Sequence, residues 1–142
     1  MPFTDTIEQL LLDHFLDDAA FTPDADLYVG LSSTTPNDAG GNVTEPSSGA
    51  YARVLLAITS FGAASGTAPA EKTNSAALSF PQATADWVAG ANLTHFVVFN
   101  ASTAGTCRAW GALAVAKPVL NGDTASFAIG ALDFRLGKGT AG

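Results

Sequence analysis

The 142-residue chain contains one cysteine, one methionine, only six lysine and arginine residues, and no apolar run near the length of a membrane span. The single Cys107 excludes an internal disulfide and a cysteine-based zinc site. It lies in the run Cys107-Arg108-Ala109-Trp110, where a small buried hydrophobe is expected. Charged residues make up 13% of the chain, well below the roughly one quarter usual for soluble domains, as if neighbouring subunits cover part of the surface. No basic segment precedes the first apolar run, so no secretory leader is expected and synthesis and assembly are expected in a cytoplasm. Positive charge is missing altogether from residues 1–52, which hold nine acids (Asp5, Glu8, Asp13, Asp17, Asp18, Asp24, Asp26, Asp38 and Glu45). The rest of the chain has four acids and six lysine or arginine residues, so charges of −9 and +2 give the net −7. An acidic surface repels phosphate backbones, and direct binding to nucleic acid is not expected.

What is present reads as one globular domain, with 47% hydrophobic residues. Residues 5–20 have the helical period: Asp5 stands where an N-cap would, Glu8 follows three residues on, and Ile7, Leu10, Leu11, Leu12, Phe15, Leu16 and Ala19 cover a broad apolar arc. So wide an arc needs cover, either beneath a β-sandwich or against another subunit. After Thr22-Pro23 the pattern becomes short strands, expected over 26–32, 51–59, 76–80, 94–100, 107–114, 117–120, 124–129 and 132–136. Residues 33–50, punctuated by Pro36, Gly40, Gly41, Pro46 and Gly49, read as a loop long enough for a contact role, and 62–73 read as a second loop. Asn121-Gly122-Asp123 carries a hairpin signal. The expected fold is mostly β: an antiparallel β-sandwich or jelly roll of about eight short strands preceded by one N-terminal amphipathic helix. Residues 1–25 are the helix and linker, 26–136 the sandwich and 137–142 a flexible tail.

A search of the sequence for chemistry yields little. His14 falls on the apolar arc and reads as a satisfied core or interface histidine; His95 begins a strand; neither has further ligands at metal-binding spacing. Residues 37–42 offer oxygen atoms but lack calcium-loop spacing and a closing Glu. No nucleophile elbow, phosphate loop or dinucleotide fingerprint occurs. The expectation is therefore no enzyme, no cofactor and no metal. Phe80, Phe96 and Phe99 are expected in the core, and Trp87, between strands, is the best candidate for an exposed aromatic. Arg53, the first cation of the chain, is expected to pair with Glu45 or with an acid of the helix, within one subunit or across two. The candidate subunit contacts are Ile7, Leu10, Leu11, Phe15, Asp38, Glu45, Tyr51, Arg53 and Trp87.

Three strings sharpen this. Residues 27–32 (Leu-Tyr-Val-Gly-Leu-Ser), Thr35-Pro36-Asn37-Asp38 and 45–54 (Glu-Pro-Ser-Ser-Gly-Ala-Tyr-Ala-Arg-Val) are followed by similarity through 74–87, 94–101, 110–113, 121–127 and 130–132. Together they resemble a family of small phage virion proteins, often labelled tail fibre or structural protein, some similar to head cement (decoration) proteins. The resemblance spans roughly 26–136; residues 88–93 form a longer connection than the family's usual short turn. It implies a virion part assembled in the host cytoplasm. The absence of heptads or repeats favours a compact module over a fibrous shaft. With the apolar helix, this points to a homo-oligomer, expected to be a trimer, cementing the major capsid protein. The alternative is a tail-tip, baseplate or tail-fibre component contacting tail proteins, with loop 33–50 or Trp87 recognising a host glycan. No membrane partner is expected.

Overall fold

A computed structural model describes residues 3–17, 19–66 and 69–136. Helix α1 (Asp5–Leu16) is followed by β1 (Leu27–Ser32), β2 (Val54–Leu56), a 3-10 turn (Ile58–Ser60), β3 (Ala70–Thr73), β4 (Leu78–Ser79), β5 (Leu93–Phe99), β6 (Cys107–Lys117), β7 (Ser126–Phe127) and β8 (Asp133–Leu136). All pairings are antiparallel: a main sheet in the order β2-β1-β5-β6 and two short ribbons, β3-β8 and β4-β7. The chain is thus mostly β with one helix ahead of it.

β5 is central, and its uninterrupted apolar run Phe96–Phe99 is buried on both faces of the sheet. On the inner face, Phe96 and Val98 join Val29, Leu31, Leu56 and Leu132 in the main core. The ribbons supply the facing layer, bringing Phe127 and Phe134 edge-on to Phe96 at centroid distances of 6.0 and 6.4 Å. On the outer face, Val97 and Phe99 pack with Cys107, Trp110 and Val43, the last arriving from the long loop 33–50. That loop therefore folds back over the sheet. It is tied to itself through Ser33 N–H to Thr44 O (3.0 Å), Asn37 N–H to Gly41 O (3.0 Å) and Gly41 N–H to the Asn37 side-chain oxygen (2.8 Å).

Several boundaries differ from the sequence expectation, each for an identifiable reason. The helix ends at Leu16, with Asp17 outside helical geometry, so it is shorter than 5–20. Its N-cap is Thr4, one residue earlier than expected, and no capping box forms. Residues 70–73, expected as loop, form β3, because Ala70–Thr73 pairs with Leu136–Asp133 of β8 despite lacking strand-favouring residues. Residues 117–120 form no separate strand: β6 runs on to Lys117 and Pro118 ends it. Asn121-Gly122 does turn, with Gly122 at φ +91, but joins strands that pair elsewhere, β6 with β5 and β7 with β4. The tail 137–142 lies outside the described residues.

Candidate functional site

The helix is fixed to the body at its first residues. Thr4 is wholly buried; its N–H donates to Arg108 O at 3.0 Å and its hydroxyl reaches Cys107 O and Arg108 O, both at 3.1 Å. Asp5 N–H, otherwise without an intrahelical acceptor, donates to Asp38 O at 2.9 Å. Phe3 forms an isolated antiparallel bridge with Ala109. The tip of loop 33–50 and the start of β6 thus form a socket for the root of α1. The chain leaving the helix is held by Asp24, whose carboxylate takes both Nε (2.8 Å) and Nη2 (2.9 Å) of Arg108, a two-point ion pair. Acids in the first turn, Asp5 and Glu8, suit the positive end of the helix dipole.

Above this root the helix leaves the body. No residue of α1 is buried. Leu12, Phe15 and Leu16 are 57%, 83% and 73% exposed, and their spacing of i, i+3, i+4 gathers them into one knob. Burial of such side chains stabilises by about 1.5–3 kcal/mol each, so the bare knob forgoes a large contribution that a partner would restore. Isolated helices of about 12–15 residues are marginal in water, and α1 has 12 residues.

A second apolar surface lies at the foot of the same helix. Phe3, Leu27, Leu56, Phe61, Ala70 and Phe134 line most of a groove of about 320 Å³ beside the β3-β8 ribbon. Lys72 stands on its margin, exposed and without an ion pair among the described residues, whereas Arg135 is held by Asp133 and Glu71. A larger cleft of about 530 Å³, mixed in character, runs between the end of β6 and β7 past Leu113, Val119, Asp123 and Phe127.

Between loop 33–50 and the sheet sits a buried polar lock. Arg53 donates from Nε (3.0 and 3.1 Å) and Nη2 (2.6 Å) to the Glu45 carboxylate, and from Nη1 to Ala101 O (2.9 Å) and Ala104 O (2.7 Å). Its guanidinium also lies 3.5 Å from the centroid of Phe99. The Tyr51 hydroxyl donates to Glu45 Oε1 at 2.6 Å and accepts Leu31 N–H at 2.9 Å. β2 stops pairing with β1 at Val29, which would leave Leu31 N–H bare, and the phenol takes the place of the missing strand. Burial and the neighbouring Glu45 push the Tyr51 phenol far above its ordinary range.

The expected contact residues therefore divide into two groups. Ile7 and Leu11 are half-buried; Leu10, Phe15 and Asp38 are exposed, and Asp38 contributes its carbonyl to the helix root. Glu45 and Arg53 pair within the subunit, with Tyr51 in the same network. Trp87 is corrected: it is 3% exposed, packs edge-on to Tyr51 and Phe80, and donates Nε1–H to Gly49 O at 2.9 Å. Its segment folds inward because Trp87 N–H pairs with Val119 O, so the ring cannot stack on an external sugar. His14 is exposed rather than in the core, with Nδ1 2.9 Å from Ala19 O. His95 packs against Trp110, and partial burial lowers its pKa. Cys107 is buried and burial raises its pKa, which suits an inert core thiol.

Sequence reasoning missed Thr4, the Asp24–Arg108 pair and the groove. Asp24 and Arg108 are 84 positions apart, and nothing local marks them as partners. The groove could not be read because β3 was not legible as a strand.

Compared with known proteins, residues 2–135 match the family model described as Podophage GP4 fiber I protein gp80. No curated protein matches the chain.

Proposed function

The chain belongs to this family of podophage fibre proteins, and from that premise we propose that it is a structural fibre subunit of a phage particle, acting through protein–protein contact and without a catalytic step. The observation that carries the reading is the helix α1, anchored at its root and bare at its tip, which is the form of an attachment element. Its acids and apolar knob suit a protein surface, and the polar lock Glu45–Tyr51–Arg53 keeps the loop beneath its root rigid. The subunit acts as a homo-oligomer, since a knob this apolar on a free monomer would promote indiscriminate association. Its other partners are the tail proteins to which fibres attach.

A second reading, a cement protein on the capsid, draws on the compact single module and the lack of repeats within these 142 residues. Counting copies in purified particles by quantitative mass spectrometry separates the two. A fibre subunit should be present in a low multiple of the tail symmetry. Hundreds of copies per particle would overturn the fibre reading in favour of capsid cement.

A further inference from the structure

We propose that the chain assembles by inserting the Leu12–Phe15–Leu16 knob of one copy into the Phe3–Phe61–Phe134 groove of the next. The inference rests on the homo-oligomeric fibre reading above and names the two surfaces that meet. The chain's own knob cannot fill its own groove. Phe3 is part of the groove wall, and Leu12 to Leu16 follow 9 to 13 residues later on a helix rising about 1.5 Å per residue, which places the knob roughly 14–20 Å away. A second copy supplies the missing occupant.

Three features favour that occupant over an unrelated protein. The first is size: a cavity of about 150 Å³ accepts a benzene-sized ring, so a groove of about 320 Å³ has room for the Phe15 ring with a leucine beside it. The second is charge. The helix carries Asp5, Glu8 and Asp13 and no lysine or arginine, while the groove margin offers Lys72, without an ion pair among the described residues, beside Glu71, whose charge is met by Arg135. The third is placement. Knob and groove are different patches of one subunit, so the contact is head-to-tail, and each copy gives one helix and receives one. Such contacts close into a ring when the rotation between copies allows it.

Two variants of the full chain test this by sedimentation velocity, with circular dichroism confirming that each is folded. Phe15→Ser removes the centre of the knob and leaves the groove intact. Ala70→Trp fills the groove from an exposed position and leaves the knob intact, with Ala64→Trp as a second groove variant should the first not fold. The wild type is expected to be oligomeric. Each variant alone should associate roughly 10- to 100-fold more weakly, the loss expected for one buried aromatic side chain. An equimolar mixture of the two should form a 1:1 heterodimer, because only one good knob and one good groove remain. Groove variants that assemble like the wild type would overturn the proposal and point to helix–helix pairing. So would a mixture that stays monomeric. A wild-type chain that is monomeric yet present on particles would overturn this inference while leaving the virion role standing.

Discussion

Gly30 has no room for a side chain. A Cβ there would lie 2.4 Å from Glu45 Oε1 and 2.9 Å from the Tyr51 hydroxyl, so the position is empty to let the polar lock reach the edge of β1. Gly30→Ala should therefore displace Glu45 and lower stability by about 2–3 kcal/mol in urea unfolding, more than a surface change could. Arg53→Ala should cost about 3–5 kcal/mol, because it leaves the Glu45 carboxylate largely buried and unpaired; the two side chains are only 8% and 19% exposed. The Tyr51 phenol provides a pH test. Its folded pKa lies above the ordinary value near 10, so above that pH the unfolded chain loses this proton while the folded chain keeps it. Stability is then fully present below about pH 10 and declines as pH rises beyond it. Tyr51→Phe should be less stable at pH 7 by about 1–2 kcal/mol, with a smaller further loss at alkaline pH than the wild type; equal alkaline losses would contradict the assignment. That Arg53 pairs with an acid was legible from the charge distribution, since it is the first cation after nine acids, but the sequence left Glu45 and the helix acids as alternatives and the fold selects Glu45. The role of Tyr51 was not, because it depends on β2 ending early. Nor was the burial of Trp87, which depends on Gly49 O and Val119 O meeting it from distant segments.

Among the elements, α1 was recognisable from its period, and its exposure follows from the breadth of its apolar arc. A helix with apolar residues on more than half its circumference cannot bury all of them against one small sheet. Phe15→Ser should change monomer stability by less than about 0.5 kcal/mol, the range of surface substitutions. The same change would be costly if the helix packed on its own subunit. Hydrogen exchange gives an independent reading. Amides in the last two turns of α1 should exchange rapidly in dilute protein and become protected on assembly, because a helix this short lacks support of its own. Rapid exchange that persists in the oligomer would place the interface elsewhere. The strands show why element boundaries were harder to read. β1, β5 and β6 carry apolar runs that announce themselves, and β4 and β7 fall inside the expected strands 76–80 and 124–129, whereas β3 is a strand only because β8 pairs with it. At the outer edge of the main sheet, β6 advances five residues, Ala112 to Lys117, while β5 advances two, Leu93 to His95. The three extra residues bulge the strand and blunt an edge that would otherwise invite unwanted pairing.

At the scale of the whole molecule, the acidic first third and the sparse charge of the remainder become intelligible through placement. The helix, its linker and the long loop lie around one region, the helix root, where Asp24 and Glu45 are neutralised internally by Arg108 and Arg53. The helix acids remain for the exterior. The antiparallel, mostly β fold and the virion family were legible from sequence patterning and from the strings between residues 27 and 132; the groove and its relation to the helix required the tertiary structure. The central claim, that this chain is a fibre subunit built into the particle by protein contacts, is tested most directly by gold-labelling purified virions with an antibody against it. Label confined to the tail-proximal fibres is the predicted result. Label spread over the capsid surface, or particles that carry none, would contradict it.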